Sequence, residues 1–149
     1  MILVDVNLLV YVIDEDSPFH SKALQWWESH LQTGGTVCLS WNSIYGFLRV
    51  VTNARALPNP LPLAVAFQRV DEWLALPQIR VLQPTPEHFA SLKKMLNDRA
   101  ASPKLISDAH FAALTLEHDC ELCSADSDFG RFTGLRWLNP LEAQIPPNS

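Results

Sequence analysis

The stretch Ile2-Leu3-Val4-Asp5-Val6-Asn7 opens with three aliphatic residues and breaks off at a carboxylate and an amide. A run this short and this apolar reads as a strand buried on both faces, in the middle of a parallel sheet. In open α/β sheets, ligands sit in the crevice beyond the carboxyl ends of the strands. Asp5 stands at that edge, where a catalytic or metal-binding acid would be placed. Its plainer role is to cap the segment Leu8 to Ile13, and one Asp after one strand does not choose between the two. The choice turns on recurrence. Glu121-Leu122-Cys123 is a second such strand, and Ser124-Ala125-Asp126-Ser127-Asp128-Phe129 follows it.

Between these two edges, helical and strand patterns alternate. Ser17-Pro18 reads as an N-cap with proline at the first helical position, opening a helix through Phe19, Ala23, Trp26 or Trp27, and Leu31 that ends at Gly34-Gly35. Thr36 to Leu39 is a strand. Ser40 opens a helix with apolar Ile44, Phe47, Leu48 and Val51, and Leu63, Phe67, Val70, Trp73 and Leu74 line another that stops before Pro77. Arg80 to Leu82 is a strand, and Thr85-Pro86 repeats the cap-plus-proline opening before a helix striped by Phe89, Leu92 and Leu96. Ser107-Asp108 begins an alanine-rich helix with Ala109, Ala112, Ala113 and Leu116, and Leu135-Arg136-Trp137 is a last strand. This alternation predicts one parallel sheet covered on both faces. A chain of 149 residues makes a single domain. We take it as residues 1–140, with Pro140, Pro146 and Pro147 marking 141–149 as a loose C-terminal tail.

A hydrophobic fraction of 48% with 18% charged residues is that of a soluble globular protein. No apolar stretch approaches the roughly 20 residues that span a bilayer, and no basic segment precedes the apolar start, so the expectation is a cytoplasmic protein without membrane contact. The net charge of −5 argues against charge-driven nucleic-acid binding. A nuclease is still compatible with it, because metal-binding carboxylates add negative charge that a divalent ion offsets. Cys120 and Cys123 have C-x-x-C spacing, but no second pair exists to complete a zinc site, and the pair flanks a strand rather than a helix N-terminus. They read as small apolar residues of the sheet. The histidines lack metal-ligand spacing. Trp26, Trp27, Trp41 and Trp73 fit helix stripes facing a core or a dimer interface.

Three acidic positions remain: Asp5 after the first strand, Asp108 at a helix start, and Asp126 with Asp128 after the fourth strand. Each has an ordinary reading, as a cap, a first-turn acid or an Asx turn. Convergence of all three on one rim of a parallel sheet is harder to obtain by chance. Gathered carboxylates repel, and hard oxygen ligands without paired His or Cys favour Mg²⁺ or Mn²⁺ over zinc. Such an ion lowers the pKa of bound water and neutralises charge on a phosphoryl oxygen, which suits phosphodiester hydrolysis.

The motifs Val4-Asp5-Val6-Asn7, Ser107-Asp108-Ala109-His110-Phe111-Ala112-Ala113-Leu114 and Leu122-Cys123-Ser124-Ala125-Asp126-Ser127-Asp128-Phe129 resemble those of PIN-domain ribonucleases, in particular the VapC-type toxins of bacterial toxin–antitoxin systems. Gly46 to Asn53 and Phe132 to Pro140 are similar to segments of one VapC-like subgroup. The resemblance implies a single-domain α/β/α sandwich, a Mg²⁺-dependent endoribonuclease, a homodimer, and a VapB-like antitoxin whose C-terminal segment lies over the active-site groove. It implies that Asp5, Asp108 and Asp126 hold the metal, that Asp128 assists, and that Ser124 and Asn7 orient the site. Many PIN domains carry a Glu on the second helix where this chain has Gly46. That departure points to a single metal, or to one held mainly by Asp5 and Asp108 through waters. Lys93, Lys94, Arg99 and Lys104 form the one basic concentration. Solvated helix surface is its ordinary account, and RNA-backbone contact by Lys104, or by Arg49 or Arg131, the sharper one.

Two other readings compete. A phosphoryl-transfer protein of haloacid-dehalogenase or receiver type fits badly, since its acidic pair should follow the first strand, where Asp5-Val6-Asn7 stands. A catalytically weak RNA- or antitoxin-binding module rests on the missing Glu alone.

Overall fold

The computed structural model describes residues 1–97 and 102–142. Arg99, Pro146 and Pro147 lie outside the described residues, as does most of the expected tail. Five strands, β1 (Ile2–Val4), β2 (Val37–Leu39), β3 (Ile79–Val81), β4 (Glu121–Cys123) and β5 (Trp137–Leu138), form one sheet in the order β3-β2-β1-β4-β5. All its pairings are parallel. Six α-helices, α1 (Val6–Ile13), α2 (His20–Gln32), α3 (Trp41–Val51), α4 (Leu63–Leu74), α5 (His88–Leu96) and α6 (Pro103–Glu117), surround it. Among the described residues, no helix is long and apolar enough to cross a membrane.

The period of two along the strands divides the core. Ile2, Val4, Val37, Leu39 and Cys123 point into a cluster with α1 to α4, whereas Leu3, Cys38 and Leu122 point into one with α6 and Phe129. Both faces of β1 are buried, which is why its three residues are all aliphatic. Cys120 and Cys123 are free and buried in these clusters, and burial pushes their thiols up to about 11 and about 12. They are small apolar residues here.

Helix starts separate into two kinds that look alike in sequence. Ser40 and Ser102 are true caps: each hydroxyl accepts from the backbone N–H three residues on, at Ser43 and Leu105. The hydroxyls of Ser17 and Thr85 accept instead from the backbone N–H two residues on, at Phe19 and Glu87, and so close a turn before the helix proper. Consequently α2 begins at His20 and α5 at His88, each later than the cap-plus-proline pattern predicts. The alanine-rich helix begins earlier than expected, at Pro103, and Asp108 lies inside α6 rather than at its start. Six expected stripe residues face solvent instead, Phe19, Leu63, Phe67, Leu74, Phe89 and Leu116, and Phe89 is 68% exposed. Ala66 takes the buried position on α4, and α5 has no fully buried residue because it leans on α6 from outside. The last strand is displaced to Trp137–Leu138. Leu141, assigned to the tail, is buried against the core.

Candidate active site

The strand order reverses direction at β1: the chain moves one way to β2 and β3, the other to β4 and β5. That switch opens a crevice beyond the carboxyl ends of β1 and β4. Val4 pairs with Cys123, so the next residues, Asp5 and Ser124, emerge side by side. Asp5 is the N-cap of α1, where its Oδ1 accepts from the Val6 N–H at 2.7 Å. The cap role and the site role are therefore one placement. Oδ2 of Asp5 accepts from Ser124 Oγ at 2.7 Å and from Asn7 Nδ2 at 3.3 Å. Asn7 also reaches Ser124 Oγ, and its Oδ1 accepts from the Ala125 N–H at 3.2 Å. From the far side, the Trp137 indole N–H donates to the Ser124 carbonyl at 3.0 Å.

Asp126 caps a 3₁₀ turn, Ser127–Arg131, its Oδ1 accepting from the Asp128 N–H at 2.9 Å, which presents both carboxylates to the same space. Asp108 approaches from α6. Oxygens of Asp108, Asp126 and Asp128 all lie within 4.8 Å of one another. The Lys104 ammonium sits among them, at 2.6 Å from Asp126, 2.8 Å from Asp128 and 3.4 Å from Asp108. Asp128 also faces Arg131 at 3.7 Å. Asp5 is not part of this coordination-sized group, but it is close enough to feel the charges of Asp108 and Asp126.

The electrostatics follow from burial and charge. Burial drives the Asp5 carboxyl above its ordinary range; the bonds from Ser124 and Val6 pull it back, and Asp108 and Asp126 push it further up. Burial likewise raises Asp108, with Lys104 opposing and Asp126 and Asp128 adding to the rise. The hydrogen bond and charge of Lys104 hold Asp128 below the usual carboxylate range, and those of Asp126 and Asp128 hold Lys104 above the usual ammonium range. The cluster offers hard oxygen donors of the kind divalent ions take, and in this structure the ammonium occupies the space between them.

Gly46 has a packing reason. A Cβ there would stand 2.5 Å from Cγ2 of Val6, so α3 crosses α1 where a side chain of any kind would collide. Arg49 is exposed one turn further along α3, and Arg131 is exposed on the 3₁₀ turn. Beside Asp5 runs a largely apolar groove of about 550 Å³, lined by Asn7, Val10, Tyr11, Phe19, Leu57 and Pro58 among others. Sequence reasoning missed two relationships. Lys104 and Asp108 are an i,i+4 pair, visible only once α6 is known to start at Pro103. His88, His110, Glu117 and Thr85 form a connected network at the contact of α5 and α6, with His88 Nδ1 donating to Glu117 at 2.6 Å and His88 Nε2 lying 3.0 Å from His110 Nδ1.

The family model for the PIN domain matches residues 2–135. The chain is 38% identical over 140 residues to ribonuclease VapC37 of Mycobacterium tuberculosis, covering 94% of this chain and 97% of that protein. Its fold is similar to that of Mycobacterium tuberculosis VapC20, a sarcin–ricin loop cleaving toxin, with a TM-score of 0.65 at 17% identity over 91% of this chain and 99% of the other. It is similar also to a chain of VapBC-1 from nontypeable Haemophilus influenzae, with a TM-score of 0.64 at 17% identity over 95% and 100%.

Proposed function

We propose that this chain, which belongs to the PIN-domain family and within it to the VapC ribonucleases, is a Mg²⁺-dependent endoribonuclease acting as the toxin of a toxin–antitoxin pair. The observation that carries the metal dependence is the gathering of Asp108, Asp126 and Asp128 around a single cation position at the switch point of the sheet. These three carboxylates would hold the ion, Mg²⁺ with Mn²⁺ as substitute, and Asp5 would act beside them. A bound divalent ion supplies a water of lowered pKa and a counter-charge for the phosphoryl oxygen under attack. Asp5 is fixed by Ser124, Asn7 and the Val6 N–H, so its remaining lone pairs are aimed before substrate arrives. In this reading they accept a hydrogen bond from the attacking water and orient it.

Lys104 and Arg131, which touch the acid cluster, and Arg49 on α3 serve as contacts for the RNA backbone, offsetting a chain that is negative overall. The apolar groove beside Asp5 suits a partner segment with hydrophobic side chains, which supports an antitoxin tail lying across the approach to the site. A homodimer is supported by exposed Trp41 and Tyr45, whose tilted rings lie 5.9 Å apart on α3.

The deciding experiment is cleavage of total RNA by the purified chain with Mg²⁺ and with EDTA, alongside Asp5→Asn and Asp108→Asn. Discrete fragments that need Mg²⁺ and vanish in both folded variants are expected. Cleavage by the variants at the wild-type rate would remove the carboxylate assignment, and no cleavage by metal-loaded wild type would remove the nuclease.

A further inference from the structure

We propose that Lys104 is the internal counter-ion of the acid cluster, occupying the cation position until a divalent ion displaces it and thereby setting the chain's apparent metal affinity. The inference rests on the proposed metal site and concerns a different property of it.

Lys104 is no ordinary surface lysine. Its ammonium reaches carboxylates from two separate elements, Asp108 one turn along α6 and Asp126 and Asp128 on the turn after β4. These are the same three side chains whose oxygens approach within 4.8 Å of one another. An ammonium and a divalent ion cannot share that space, since both need the oxygen lone pairs and their charges repel. The cluster nevertheless needs a cation. Among the described residues, the cations paired with these three acids are Lys104 and, on one oxygen of Asp128, Arg131. The lysine side chain is 58% exposed, so its long stem can carry the ammonium into solvent without disturbing the core. A permanent cation that is held firmly and released easily makes metal binding an exchange rather than an addition. The metal-free cluster is thereby spared its own repulsion, and the metal-bound enzyme gains a free ammonium at the edge of its site.

The test is Mn²⁺ binding to metal-stripped protein without RNA, following the free aqueous ion by electron paramagnetic resonance, for wild type, Lys104→Gln and Lys104→Arg. Lys104→Gln is expected to bind Mn²⁺ about tenfold tighter than wild type, because the competitor and its charge are both removed. Lys104→Arg, which keeps a competing cation, stays within about twofold of wild type. The metal-free melting temperature of Lys104→Gln falls by about 2–4 °C and is regained on adding Mn²⁺. Equal or weaker Mn²⁺ binding by Lys104→Gln overturns the inference while leaving the metal site intact. Failure of wild type and Lys104→Gln alike to bind, or wild-type binding by Asp126→Asn, overturns it together with the metal site itself. An effect on the KM for RNA alone, with Mn²⁺ affinity unchanged, makes Lys104 a substrate contact and equally overturns it.

Discussion

Ser124 Oγ donates a 2.7 Å hydrogen bond to Oδ2 of Asp5, joining residues 119 positions apart at adjacent strand ends. Ser124 is fully buried and Asp5 nearly so, and the bond favours the ionised carboxylate against the burial that opposes it.

Ser124→Ala should therefore act through Asp5. The lost donor raises the Asp5 carboxyl further, so the acid limb of RNA cleavage moves to higher pH. At neutral pH the rate should fall by about 10–100-fold, with the fold retained by circular dichroism. A pH–rate profile identical to wild type would show that Ser124 does not tune Asp5.

Asp108→Asn separates stability from activity. Burial holds the Asp108 carboxyl above the usual range, so its ionised form costs stability at neutral pH, and the amide avoids that cost. The metal-free variant should be more stable by about 1 kcal/mol, read from urea denaturation, while the melting-temperature rise that Mg²⁺ produces in wild type disappears. Removing metal with EDTA should abolish wild-type cleavage without unfolding the chain.

Gly46→Ala tests why this position carries no side chain. Alanine is the better helix former, but its Cβ would meet Val6 at 2.5 Å, at the crossing of α1 and α3. We expect a net loss of about 1–3 kcal/mol in chemical denaturation. Pairing it with Val6→Ala should recover part of that loss, because the collision is with the valine methyl.

Glu117 should make the fold acid-sensitive. Burial pushes its carboxyl up, but bonds from His88 and Thr85 outweigh burial and hold it below its ordinary value of 4.5. A depressed acid stabilises the folded state above the unfolded value, and that stabilisation is lost as pH falls from 4.5 through the lower folded value. Glu117→Gln should cost about 2 kcal/mol at pH 7 and flatten the decline in stability below pH 4.5 in a denaturation series.

Much of the architecture was legible because the signals were local. Ile2 to Val4 and Glu121 to Cys123 read as strands, and Ser40 as a cap, from composition and spacing alone. The misreadings have local causes too. Ser17, Thr85 and Ser102 all precede a proline, yet only Ser102 caps the helix that follows; whether a hydroxyl bonds two or three residues on depends on the path of the loop. Overlooking Ser102 placed Asp108 at a helix start and hid its i,i+4 partner Lys104. The histidines showed no metal-ligand spacing, and spacing within one segment does not record the contact of α5 with α6 that brings His88 against His110 and Glu117.

By itself, the sequence determined an alternating α/β chain with an acid beyond each of two buried strands, since strand burial and turn chemistry are written in neighbouring residues. Tertiary structure alone decided which acids meet. The pairing of Val4 with Cys123 sets Asp5 beside Ser124, and the approach of α6 brings Asp108 to Asp126 and Asp128. It also decided that Lys104 lies among them and that Gly46 has no room for a side chain. Those outcomes depend on helix phase and crossing to within an ångström or two, and such distances are set by the packed core rather than by any one segment.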